Sequence, residues 1–98
     1  MRNYCGKTLF ITSEHCPYCN ELKNSLTEED KKNVITLDVE KSEFARKIAE
    51  EFNIKYVPYP MVIDCDVDSI NVCAIDENEN EVCRVYEKSE IENDNSVQ

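Results

Sequence analysis

The stretch His15-Cys16-Pro17-Tyr18-Cys19 sets two sulfurs three positions apart, an arrangement with three chemical uses. Such a pair can ligate a soft metal, close a small loop as a disulfide, or carry two electrons by thiol–disulfide exchange. Structural zinc wants four ligands, commonly from two such pairs. Here Cys65, Cys73 and Cys83 are spaced by eight and ten residues, and the only histidine adjoins the motif itself. Metal is therefore the poorer fit, and no metal site is expected. A disulfide bridging i to i+3 closes too small a loop to stabilise much. Exchange chemistry is left. With Pro17 at the first helical position, where its missing N–H costs nothing, Cys16 stands at a helix start. Free amides and the helix dipole favour negative charge there, so Cys16 is expected to be the nucleophile. Cys19, one turn on, would attack Cys16 and resolve the mixed disulfide. Pro17 and Tyr18 would help dock a substrate, although Tyr18 also reads as a plain exposed side chain. His15 reads either as a positive charge beside the thiolate or, on the preferred plainer reading, as an exposed loop residue.

The flanking segments must hold those sulfurs in place. Residues 7–12, KTLFIT, read as a buried strand, and Cys19, Leu22 and Leu26 form the apolar stripe of a helix ending near Glu28 or Glu29. Residues 34–39 read as a second strand. Ser42 is a good N-cap for a helix whose buried stripe is Phe44, Ala45, Ile48, Ala49 and Phe52, with Asn53 as a left-handed stop. Residues 61–64 form a third strand, and residues 70–76 and 81–87 a hairpin about Glu77-Asn78-Glu79. The order is β-α-β-α-β-β, with room for one more strand, in a mixed sheet flanked by helices. Residues 1–88 form one domain. The acidic segment 89–98, with only Ile91 and Val97 as large apolar groups, is a tail or a short helix, so a C-terminal helix is short or missing.

The chain has 98 residues, 41% apolar and 33% charged, with a net charge of −10. That field repels phosphate backbones and anionic lipids, so neither nucleic acid nor a membrane is an expected partner. The apolar patch near the start is shorter than the core of an export signal, and a cytoplasmic monomer is expected. Six cysteines in a reducing compartment point to redox chemistry or metal binding rather than a disulfide scaffold.

Cys-Pro-Tyr-Cys after a short strand and before a helix resembles the active site of glutaredoxins, within the thioredoxin superfamily. Residues 52–63, FNIKYVPYPMVI, resemble the superfamily segment in which a helix gives way to a cis-proline and a strand. The resemblance covers residues 7 to 64 and implies a thioredoxin fold. It makes Pro58 the cis-proline and Val57 the residue whose backbone receives an incoming thiol compound; Pro60 after Tyr59 is the alternative. It also implies a disulfide-containing protein as substrate, no bound cofactor, and glutathione or a thioredoxin-type reductase as electron source. Two departures bear on glutathione. Family members that use it usually carry a lysine where this chain has Ser13, and a Gly-Gly pair after the last strand, whereas Gly6 is the sole glycine here. Dithiol exchange is therefore expected, and glutathione specificity is not.

A hairpin centred on Asn78 brings Cys73 opposite Cys83. They are either a second redox pair or, on the preferred plainer reading, small buried hydrophobes. Cys65 falls nearby, and Cys5 reads as incidental. The alternatives to an enzyme are a non-catalytic binding module with an acidic surface and, behind it, a metal-binding module.

Overall fold

Thr8–Thr12 (β1) is the strand about which the sheet is assembled. It runs parallel to Val34–Asp38 (β2) on one side and antiparallel to Tyr59–Cys65 (β3) on the other. Ser69–Ile75 (β4) and Glu81–Glu87 (β5) add antiparallel strands beyond β3, so the order is β2-β1-β3-β4-β5. Pro17–Ser25 (α1), Glu28–Lys31 (α2), Glu43–Glu51 (α3) and Lys88–Glu92 (α4) complete the chain in this computed structural model, which describes residues 4–94. Among the described residues it is an α/β protein with a five-stranded mixed sheet and four helices. The hairpin supplies one strand more than the β-α-β-α-β-β order counts.

Strand alternation decides which face is dry. Leu9, Ile11, Leu37, Met61, Ile63, Ile70 and Val72 are at most 2% exposed and share one core with Phe44, Ala45 and Ile48 of α3. Burying an aliphatic side chain of this kind is worth about 1.5–3 kcal/mol, so this face dominates the stability. Ser42 caps α3 as expected, its hydroxyl accepting from the Ala45 amide at 3.0 Å, and Asn53 ends the helix region with φ +52°. Ala49 and Phe52 are only half-buried.

Three expectations need correction. The first helix stops at Ser25, not Glu28 or Glu29, because Leu26 turns extended and Thr27 starts a separate turn. Thr27 and Asp30 cap each other reciprocally, and this local capping box outcompetes continuation of α1. The third strand begins at Tyr59 and includes Pro60, which the 61–64 boundary left out. Pairing with β4 covers only Val62–Cys65, so the missing N–H of Pro60 takes no bond from that ladder.

The third correction concerns Cys5, which is not incidental: it forms a disulfide with Cys65, with the Cα atoms 5.4 Å apart. Gly6 makes this possible. Its φ of +74° belongs to the left-handed region that glycine enters freely, and nothing lies within 4 Å of where a Cβ would stand. The turn lets Gly6 N donate to Ile63 O at 2.7 Å and lays Cys5 beside the end of β3.

After β5 the chain is helical over Lys88–Glu92, and residues 95–98, including Val97, lie outside the described residues. Ile91 is fully buried in the core under α3. Asp94 Oδ2 accepts from the Ser42 hydroxyl at 2.6 Å and from the Phe44 amide at 3.1 Å. Thus α4 docks on the face that α3 already covers. On the opposite face α1 reaches β2 through the Lys23–Asp38 ion pair, while Val62, Ile75 and Val85 are 46%, 57% and 69% exposed. No helix among the described residues is long and apolar enough to cross a membrane.

Candidate functional site

Cys16 sits between β1 and α1 as the N-cap of α1, with extended backbone, and Pro17 occupies the first helical position. The loop before it is tied down locally. Cys16 N donates to Ser13 O at 3.3 Å, and His15 N to the Ser13 hydroxyl at 3.2 Å. The Ser13 hydroxyl in turn donates to the Glu40 carboxylate, which that bond holds below the usual carboxylate range. Glu14 pairs with Lys41 at 2.7 Å. The loop between β2 and α3 therefore anchors the loop that carries the dithiol.

The sulfur of Cys16 accepts a hydrogen bond from Cys19 N at 3.1 Å, taking one of the amides that a helix start leaves unpaired. On its other side it lies 3.6 Å from the carbonyl oxygen of Val57. The Val57–Pro58 peptide bond is cis. Of the two prolines considered, Pro58 is thus the cis residue, and Val57 stands against Cys16 across 41 positions of sequence. Cys16 is 9% exposed and Cys19 fully buried, and both are free thiols. Burial, then the neighbouring Cys16 sulfur, pushes the Cys19 thiol up; the Ser13 backbone and the Lys23 charge pull the other way.

Beneath the pair, Lys23 of α1 meets Asp38 of β2 at 2.9 Å, and the fully buried Thr12 donates its hydroxyl to the same carboxylate. Burial would raise the Asp38 carboxyl, but the bonds from Thr12 and Lys23 and the charges of Lys23 and Lys41 outweigh it and leave it lowered. Around the rim, Pro17 is exposed, as is Tyr18 at 71%. A groove of about 350 Å³ runs beside Val57, floored by Ile11, Val39 and Ile54 and edged by Arg46 and Lys55.

Of the predicted site residues, Cys16, Cys19, Val57 and Pro58 come together, with Pro17 and Tyr18 on the rim. Cys73 and Cys83 do not join them. They face each other across β4 and β5 and form a second disulfide. The reading of this pair as buried hydrophobes is wrong, since Cys73 is half-buried and Cys83 exposed. Among the described residues their face of the sheet stays open, with Val62, Ile75 and Val85 exposed. Thr12, Lys23 and Asp38 went unread as neighbours of the dithiol; the signal was the parallel register that sets Thr12 opposite Asp38.

No family model matches this chain, and neither do any curated protein or any solved structure.

Proposed function

We propose that this chain is a thioredoxin-fold dithiol–disulfide oxidoreductase, glutaredoxin-like in its Cys-Pro-Tyr-Cys motif. One observation carries the reading: the Cys16 sulfur lies between the Cys19 amide and the Val57 carbonyl that precedes a cis-proline. An extended substrate pairing with the Val57 backbone would deliver its disulfide to Cys16, with Tyr18 and Pro58 offering apolar contacts. The Cys16 thiolate attacks one substrate sulfur, the substrate S–S bond breaks, and the other sulfur leaves as a thiolate. Cys19 then gives its proton, by way of solvent, to the substrate thiolate already released and attacks the Cys16 sulfur. The Cys16–Cys19 disulfide forms as the mixed disulfide breaks, and the second substrate thiolate departs. Two electrons have passed to the substrate, and an external reductant restores the dithiol. Burial keeps Cys19 protonated until that stage, which suppresses futile oxidation of the pair.

The local charge supports a protein reductant over glutathione. Ser13 replaces a cation and is bonded to Glu40, with Glu14 beside it, on a chain of net charge −10. The reading includes a cytoplasmic monomer acting on disulfide-bearing proteins. Reduction of a model disulfide, driven by either a thioredoxin-type reductase or glutathione with its reductase, tests it. Turnover is expected with the wild type and not with Cys16→Ser, faster with the protein reductase, and Cys19→Ser is expected to accumulate a mixed disulfide. Equal inertness of wild type and Cys16→Ser would sink the enzyme and leave an acidic binding module as the reading.

A further inference from the structure

We infer that Cys73, Cys83 and Glu81 form a zinc site that exists only when the Cys73–Cys83 disulfide is reduced. Linear spacing hid it, because its ligands come from two strands, and the hairpin register assembles them. Cys73 and Cys83 are directly opposed with Cα atoms 4.1 Å apart, and Glu81 precedes Cys83 by two positions on the same face. The two sulfurs and a Glu81 carboxylate oxygen all lie within 4.8 Å of one another.

A purely structural staple accounts poorly for these neighbours. The hairpin is already held by a seven-pair register, and Asp76 Oδ1 accepts from the amides of Asn78 and Asn80 at 2.9 Å each. A disulfide sulfur has no proton to give, so the Glu81 carboxylate 3.7 Å from Cys83 Sγ gains nothing from it. Beside a metal held by two thiolates, the same oxygen becomes a third ligand. The Asn71 side-chain amide, 3.5 Å from Cys73 Sγ, is a donor that supports a thiolate ligand from the outer shell. Two sulfurs on tetrahedral zinc stand about 3.8 Å apart, a spacing that side-chain rotation reaches from opposed strands once the S–S bond is gone. Cys83 and Glu81 are exposed, so the ion enters from solvent, and water completes the fourth position.

The chemistry balances with an external dithiol or phosphine as reductant. A dithiol gives two electrons and its two thiol protons and closes to its own disulfide, or a phosphine gives two electrons and takes oxygen from a water molecule that yields the two protons; the Cys73–Cys83 bond opens, and two thiols result. Zinc then displaces both thiol protons to solvent and binds two thiolates and one carboxylate. The bound ion ties up both sulfurs, so re-formation of the disulfide requires its release.

The test uses the full chain carrying Cys5→Ser, Cys65→Ser, Cys16→Ser and Cys19→Ser, its fold checked by circular dichroism, so that neither of the two other thiol pairs left by reduction competes. Protein reduced with a phosphine, then freed of it under argon, is titrated with Zn²⁺ against a chromophoric chelator and with Co²⁺ for its thiolate charge-transfer absorption. One metal per chain is expected after reduction and none in the oxidised protein. Cys83→Ser is expected to abolish thiolate-bound cobalt, and Glu81→Gln, an exposed change that leaves the hairpin intact, to weaken zinc by about ten-fold or more. No uptake by reduced protein overturns the inference, as does uptake that survives Cys83→Ser or affinity unchanged in Glu81→Gln.

Discussion

At the scale of single residues, Asp38 couples the dithiol's helix to the sheet. Its carboxylate takes a hydrogen bond from Thr12 and an ion pair from Lys23, and it is held below the ordinary carboxylate range despite its burial. A group whose folded value is depressed adds stability above its unfolded value and loses it as pH falls through the folded one. Asp38→Asn is therefore expected to cost about 1–3 kcal/mol at neutral pH, as loss of a charged hydrogen-bond partner does. The gap between variant and wild type should close as pH falls below about 4. Urea unfolding of both chains across that range checks it. A gap that stays constant would show that packing, not charge, sets the cost. What could be read of the site beforehand was what lies next to itself in sequence. Cys16, Pro17 and Cys19 declare a capped helix start. Thr12 and Asp38, 26 positions apart, met only through the strand register, and no periodicity names that partner.

Among the elements, the N-terminal arm and β3 depend on a covalent tie. The Cys5–Cys65 disulfide spans 60 positions, and on the chain-entropy model closing such a loop is worth about 4 kcal/mol. The Cys73–Cys83 bridge spans 10 positions and is worth about 3 kcal/mol on the same model. Cys5→Ser is expected to lower the unfolding free energy by an amount near the first figure, measured by denaturant titration in the absence of thiols. A loss under about 1 kcal/mol would show that the arm is held by the buried Tyr4 and the Gly6–Ile63 bond instead. The strands, the N-cap of α3 and the hairpin register were legible because alternation, Ser42 and the turn residues are local signals. The end of α1 was misread because the stripe stops at Leu26, and the capping box of Thr27 and Asp30 starts a new turn where the helix was read on to Glu28 or Glu29. The Cys5–Cys65 pairing was illegible, since six cysteines allow many pairings and only the folded sheet selects one.

For the whole molecule, the arrangement is lopsided. With α3 and α4 on one face, the other face of β3, β4 and β5 is left with Val62, Ile75 and Val85 open to solvent. The expectation of buried cysteines on β4 and β5 failed for the same reason. Periodicity assigns faces but does not say which face a distant helix will choose. Two closed disulfides beside a free dithiol also set two redox regimes in one chain. Disulfides persist in oxidising surroundings, and in a reducing cytoplasm they last only where exchange is slow or is itself the chemistry.

Asp94 binds Ser42 and Phe44 at the mouth of α3, two positions after Glu40, which fastens Ser13, and one after Lys41, which fastens Glu14. The last described residue therefore clamps the root of the loop on which the dithiol hangs. Asp94→Ala is expected to cost about 1–2 kcal/mol, as lost helix caps do, and to speed amide exchange at Phe44. Faster exchange at His15 and Cys16 should accompany it. A lesion at Asp94 would in this way loosen a sulfur far away in the sequence, with the core undisturbed between them.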